Sequence, residues 1–177
     1  MSKKIKVLAM LMGLIMTLSL VGCSGKSGTS AAGEVKVGDE APEFYANLTN
    51  GKSFVLSENK GKVVLINFWA TWCGPCVEEL PAIEKLQKEY GDKIEIVAVN
   101  YGEDKKTVDG FLKDKNYTFK VAYDENMDIC NEYPSDGIPY LVVVDKEGNV
   151  HETMVGSAGA DEQYKRVLRS LTEAFEK

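Results

Sequence analysis

The 177-residue sequence predicts one α/β domain whose strands alternate with helices before closing in an antiparallel hairpin and a final helix. Three observations carry this. Val63-Val64-Leu65-Ile66-Asn67-Phe68 is a nearly continuous apolar run rich in β-branched residues, as a strand covered on both faces requires. Val77, Leu80, Ile83, Leu86 and Tyr90 then recur at helical spacing. Ile94 to Val99 follows as another apolar strand, which completes a βαβ unit.

The remaining elements fall in order around that unit. Phe44 to Leu48 and Lys52 to Leu56 flank Asn50-Gly51, a dipeptide suited to the positive φ angles of a tight turn, and read as an N-terminal β-hairpin. Gly91 offers a stop to the first helix, and Pro81 inside it predicts a kink. Val108, Phe111 and Leu112 mark a weaker second helix, Phe119 to Val121 a short strand, and Met127 to Glu132 a helical turn. Tyr140 to Val144 and Val150 to Val155 form the late hairpin through Asp145-Lys146-Glu147-Gly148-Asn149. Tyr164, Val167, Leu168, Leu171 and Phe175 give the closing amphipathic helix.

The N-terminus is organised differently. Lys3, Lys4 and Lys6 precede fifteen largely apolar residues, Val7 to Val21, the layout of a secretory signal and short for a membrane span. The run ends at Leu20-Val21-Gly22-Cys23, which resembles a bacterial lipoprotein box. That resemblance implies a signal peptide over residues 1–22 and lipidation of Cys23. Ser24 to Gly33 is rich in Ser, Gly and Ala, so residues 23–34 read as a lipidated flexible tether and residues 35–177 as the domain. Removing the signal leaves 18 bases against 27 acids, a net charge of −9 that argues against nucleic acid as a partner.

The chemistry concentrates at Cys73-Gly74-Pro75-Cys76, between the buried strand and its helix. Disulfide exchange needs one accessible thiolate and a second thiol close enough to expel the captured partner. At a helix N-terminus, unpaired N–H groups and the helix dipole favour the thiolate, which makes Cys73 the candidate nucleophile and Cys76 the resolving thiol. Pro75 is tolerated in the first turn, where its missing N–H has no partner to lose. Two plainer readings compete: a structural disulfide, or half of a zinc site. The only histidine is His151 and there is no second C-x-x-C, so no metal site is expected. Cys130 reads as a small buried hydrophobe, with a third redox thiol as the sharper alternative.

Phe68-Trp69-Ala70-Thr71-Trp72-Cys73-Gly74-Pro75-Cys76 resembles the thioredoxin active site. Val37-Gly38-Asp39-Glu40-Ala41-Pro42-Glu43-Phe44, Gly61-Lys62-Val63-Val64 and the insert after the second strand of the βαβ unit resemble the TlpA/ResA branch of that family. The resemblance covers roughly Val35 to Lys177. It implies a thioredoxin-like three-layer α/β/α sandwich with a mixed central sheet, the N-terminal hairpin and a central insert. It further implies that Pro139 is cis and lies against the reactive disulfide, so that Ile138 and Pro139, with Trp72, Gly74 and Pro75, form the substrate-docking surface. Tyr140 stands where family members carry Thr, a departure that bears on the shape of the groove. Asn67 replaces the buried aspartate of thioredoxin proper. The resemblance puts a functional carboxylate at Glu79, one helical turn beyond Cys76, as the proton relay, its pKa raised by desolvation. Glu78 beside it reads as surface.

The function this implies is that of an extracytoplasmic, membrane-anchored thiol–disulfide oxidoreductase, a monomer needing no bound cofactor. It would reduce disulfides in partner proteins and be re-reduced by a membrane electron donor of CcdA/DsbD type. The resemblance points to apocytochrome c, a methionine sulfoxide reductase or misoxidised secreted proteins as partners, and the Gly-Pro dipeptide resembles reductants. Two alternatives stand beside it. A peroxiredoxin-like peroxidase lacks its Pro-x-x-x-Thr-x-x-Cys pattern here, and a copper metallochaperone would use the two thiolates and His151.

Overall fold

A computed structural model describes residues 35–176, and the signal, the tether and Cys23 lie outside the described residues. The apolar run forms β3 (Val63–Trp69), every residue of which is buried. Its alternation divides the interior: Val63, Leu65 and Trp69 face one core, while Val64, Ile66 and Phe68 face another. Around β3 lie β4 (Ile94–Asn100), β5 (Lys120–Ala122), β6 (Tyr140–Val144) and β7 (Val150–Val155), in the order β5-β4-β3-β6-β7. The β3–β4 and β4–β5 pairs are parallel, whereas β6 and β7 run antiparallel to their neighbours, so the sheet is mixed as expected.

Helices α1 (Gly74–Tyr90), α2 (Lys105–Leu112) and α4 (Ala160–Phe175) contribute to the first core, where α1 packs on α4. The opposite layer is thinner. It consists of α3 (Asp128–Glu132), the hairpin β1 (Tyr45–Asn47) and β2 (Ser53–Val55), and a 3₁₀ turn at Leu56–Asn59. Phe44, Phe54, Phe68, Tyr133 and Tyr140 pack there as a chain of aromatic rings, stacked at Phe44–Phe54 and Phe68–Tyr140 and edge-on at Phe44–Tyr133. The N-terminal stretch also shields both sheet edges. Thr49 N–H donates to the Val121 carbonyl and Tyr123 N–H to that of Asn47, while Gly38 and Asp39 exchange bonds with Val150.

One local expectation changes, while α1 ends at Gly91 as expected. The hairpin does not close in a two-residue turn: Gly51 has φ of 77° but Asn50 is not in the positive region, and Leu48 N–H bonds the Lys52 carbonyl across a wider loop. The Asn50 side chain accepts from Lys52 N–H at 3.0 Å, which fixes the loop instead. α1 runs through Pro81 as one helix, with the ring on its exposed side. Gly91 ends α1 in a right-handed conformation, and a Cβ there would lie 2.5 Å from the Gln87 carbonyl oxygen, so the residue is Gly for want of space.

Candidate active site

The site lies at the carboxyl end of β3, where the chain leaves the sheet and turns into α1. Cys73 is the N-cap of α1, and its sulfur accepts from Cys76 N–H at 3.2 Å, so the helix terminus points a backbone donor at this sulfur. That donor favours negative charge on Cys73 once the pair is reduced. Cys73 and Cys76 are joined as a disulfide with Cα atoms 5.2 Å apart. Cys73 keeps 6% of its surface exposed and Cys76 none, an asymmetry that lets a partner reach only the first sulfur.

Opposite the disulfide, the Ile138–Pro139 peptide is cis and the Ile138 carbonyl oxygen lies 3.8 Å from Cys73 Sγ. The Ile138 peptide group is bonded to no other backbone group of the described residues. Trp72 projects from the same rim, 66% exposed, beside exposed Gly74 and Pro75. Trp69 is instead wholly buried against Phe111. Strand alternation turns the Tyr140 ring onto Phe68 in the hairpin-side core, away from α1. Its remaining edge lines a groove of about 600 Å³ with Pro134, Thr153 and Val155.

Glu79 is fully buried, whereas Glu78 beside it is exposed. Desolvation pushes the Glu79 pKa up to about 8, against smaller lowering effects of the Ser157 side chain and the Arg166 guanidinium. Ser157 is near enough to exert that pull, yet neither carboxylate oxygen has a partner in hydrogen-bonding geometry, so burial dominates. A carboxyl group one turn from Cys76 and titrating near neutrality can hold or release a proton there. Asn67 is also buried, without a protein partner for its amide. Ser157 and Arg166 were not singled out from the sequence; they lie roughly eighty residues from Glu79 along the chain, and no local pattern marks them.

The other candidates separate from this cluster. Cys130 is a free, buried thiol on α3, and burial together with the Asp124 carboxylate raises its pKa well above the ordinary thiol value. His151 is at the start of β7, which pairs with the end of β6 farthest from the disulfide; its Nε2 lies 3.8 Å from Glu173. It therefore does not complete a ligand set with the two thiolates. Among the described residues no cluster of three or more His, Cys, Asp or Glu is arranged to hold a metal ion. No helix among them is long and apolar enough to cross a membrane.

The Redoxin family model matches residues 36–168. The chain is 34% identical over 172 residues to thiol-disulfide oxidoreductase ResA of Bacillus cereus, covering 96% of this chain and 99% of that protein. Among solved structures it is similar to a thiol:disulfide interchange protein of the thioredoxin family from Chlorobium tepidum, with a TM-score of 0.67 and 27% identity, covering 80% of this chain and 99% of that one. It is equally similar to the exposed lipoprotein thioredoxin of Streptococcus pneumoniae, with a TM-score of 0.67 and 27% identity over 75% of this chain and 99% of the other.

Proposed function

This chain belongs to the redoxin family as a TlpA/ResA-like thiol–disulfide oxidoreductase, and from that premise we propose that it is a membrane-tethered reductase of protein disulfides outside the cytoplasm. The observation that carries the reading is the asymmetric Cys73–Cys76 pair, its first sulfur at the helix terminus and 3.8 Å from the Ile138 carbonyl. In the forward direction the Cys73 thiolate attacks one sulfur of a partner disulfide and displaces the other as a thiolate. Cys76 gives its proton to the Glu79 carboxylate and attacks Cys73 Sγ, which expels the partner's second sulfur as a thiolate and regenerates the protein disulfide, the partner's two thiolates taking up protons from water. Two electrons pass to the partner. A membrane dithiol donor of CcdA/DsbD type restores the pair, with Glu79 returning its proton to the departing Cys76 thiolate.

The partner lies along Ile138 and Pro139 as an added strand, against Trp72, Gly74 and Pro75. The anchoring reading rests on the sequence features of residues 1–34, namely the lysines, the apolar run and Cys23, together with the likeness to an exposed lipoprotein. Cytochrome maturation, methionine sulfoxide reductase recycling and repair of secreted proteins all supply substrates of the required chemistry.

The test is a trap. Cys76→Ala in the native envelope should accumulate partners disulfide-linked to Cys73, and the double Cys73→Ala, Cys76→Ala variant should not. Equal yields from the two variants would falsify the exchange reading. A Cys73–Cys76 potential towards the reducing limit of about −270 mV supports reduction, and one near about −120 mV overturns it.

A further inference from the structure

The turn that carries Trp72 is fastened from outside the reactive motif. Glu103, in the loop between β4 and α2, directs both carboxylate oxygens at Thr71. Its Oε2 accepts from Thr71 N–H at 2.7 Å, and its Oε1 accepts from the Thr71 hydroxyl at 2.5 Å. The same Oε2 accepts from Asn100 Nδ2 at 2.7 Å, while Glu103 N–H donates to Asn100 Oδ1 at 3.0 Å. Asn100 is fully buried at the end of β4, paired with Trp69 at the end of β3. The clasp is thus rooted in the two central strands and closes on the residue before Trp72.

We propose that Glu103 is a positioning residue for partner recognition: by clasping Thr71 it fixes the direction in which Trp72 projects from the rim of the site. The proposal rests on the exchange reading above and adds a residue outside the reactive motif. Cys73 has separate support, since its N–H bonds the Ala70 carbonyl and its own carbonyl and sulfur are bonded within the first turn of α1. Trp72 has none of these: its side chain is exposed and held by no hydrogen bond among the described residues. Its orientation follows from the backbone on either side of it. Releasing Thr71 therefore loosens the docking surface while the nucleophile stays in place, and an exposed indole that must order on binding loses affinity for that reason.

Chemistry of the donors distinguishes a clasp from a charge effect. A glutamine at 103 keeps one oxygen to accept from Thr71 N–H and Asn100, and its NH₂ can donate to the Thr71 hydroxyl with that bond reversed. Alanine keeps none of the three. Valine at 71 removes only the hydroxyl bond while retaining the branched shape.

The experiment uses reduced full-length protein and two probes, a short peptide closed by a disulfide and the small molecule hydroxyethyl disulfide, in single-turnover kinetics. Glu103→Ala should raise the half-saturating peptide concentration about tenfold with the limiting rate, and the rate with hydroxyethyl disulfide, changed less than about twofold. Glu103→Gln should stay within about threefold of wild type, and Thr71→Val should fall between the two. Should Glu103→Ala fail to fold, the Thr71→Val comparison decides. Equal losses with both probes would mean a general structural role and overturn the proposal. So would a glutamine variant as impaired as alanine, or unchanged peptide saturation in Thr71→Val. Absence of peptide reduction by wild type would sink the exchange reading and this proposal with it; normal wild-type reduction with unaffected variants sinks the Glu103 role alone.

Discussion

Glu79→Gln should stabilise the oxidised protein, and the gain should depend on pH in a defined window. The carboxyl is buried without a hydrogen-bond partner, and its pKa is raised from 4.5 to about 8. Below pH 4.5 the group is protonated in both folded and unfolded states and nothing is lost. Between 4.5 and 8 the unfolded chain has released the proton and the folded protein has not, so stability falls as pH rises through that window. Above 8 both states are ionised and the loss is complete. At roughly 1.4 kcal/mol per pH unit, the loss reaches about 3 kcal/mol at pH 7. Water entering beside the carboxylate would reduce the figure, so a change of about 1–3 kcal/mol is the expected range. Denaturant unfolding of both proteins, with the disulfide kept intact, measures it as the wild-type-minus-variant difference. Taking that difference cancels every other titrating group. A value constant to within about 0.5 kcal/mol from pH 4.5 to 8 refutes the argument.

The same substitution should slow reduction of the disulfide by an external dithiol about a hundredfold below pH 7.5, because the departing Cys76 thiolate loses its acid. The gap should close above pH 8, where wild-type Glu79 has itself lost the proton; parallel pH–rate curves would remove the relay. Cys130→Ala should leave exchange kinetics unchanged and lower stability by about 1 kcal/mol, with native Cys130 resisting alkylation over hours, as read by mass spectrometry. Glu84 accepts from Thr118 N–H at 2.7 Å and from its hydroxyl at 3.0 Å, so Glu84→Ala should cost about 2 kcal/mol, seen as a lower Tm without loss of exchange at permissive temperature.

What could be read in advance was local and periodic. The apolar run of β3, the helical stripe of α1 and the C-x-x-C between them are each fixed by neighbours a few positions apart, and all three emerge within a residue or so of expectation. Glu79 drew notice through the family resemblance, which puts a carboxylate one helical turn beyond Cys76. Glu84, on the same helix, is nearly as buried, yet what accommodates it is Thr118, which no helical pattern reveals. The Glu103 clasp was equally illegible, since Thr71 and Glu103 meet only because β3 and β4 end side by side. Tyr140 illustrates the reverse problem. The resemblance left its effect on the groove open, because a residue's face in a strand is decided by register, and its ring turns into the second core. The hairpin turn failed for a related reason: Asn-Gly permits a two-residue turn, and the Asn50 side chain stabilised a wider one.

Burial raises the pKa of both Glu79 and Cys130, and the two shifts mean opposite things. A thiol whose ordinary value is 9.0 is already protonated at neutral pH, so raising it further changes neither its charge nor the balance between folded and unfolded states there. Cys130 is simply kept inert inside the hairpin-side core. For Glu79 the shift crosses neutrality, so folding obliges the group to hold a proton it would otherwise release. A chain gains no stability from such a position, and a Leu or Met would pack there without the penalty. What the carboxyl supplies under the proposed relay is a proton that moves near neutral pH, one helical turn from the sulfur that must be protonated each time the disulfide opens. Direction of shift alone therefore does not mark a functional group. Displacement across the working pH, at a stability cost and beside the reacting atom, is what the proposed Glu79 relay rests on.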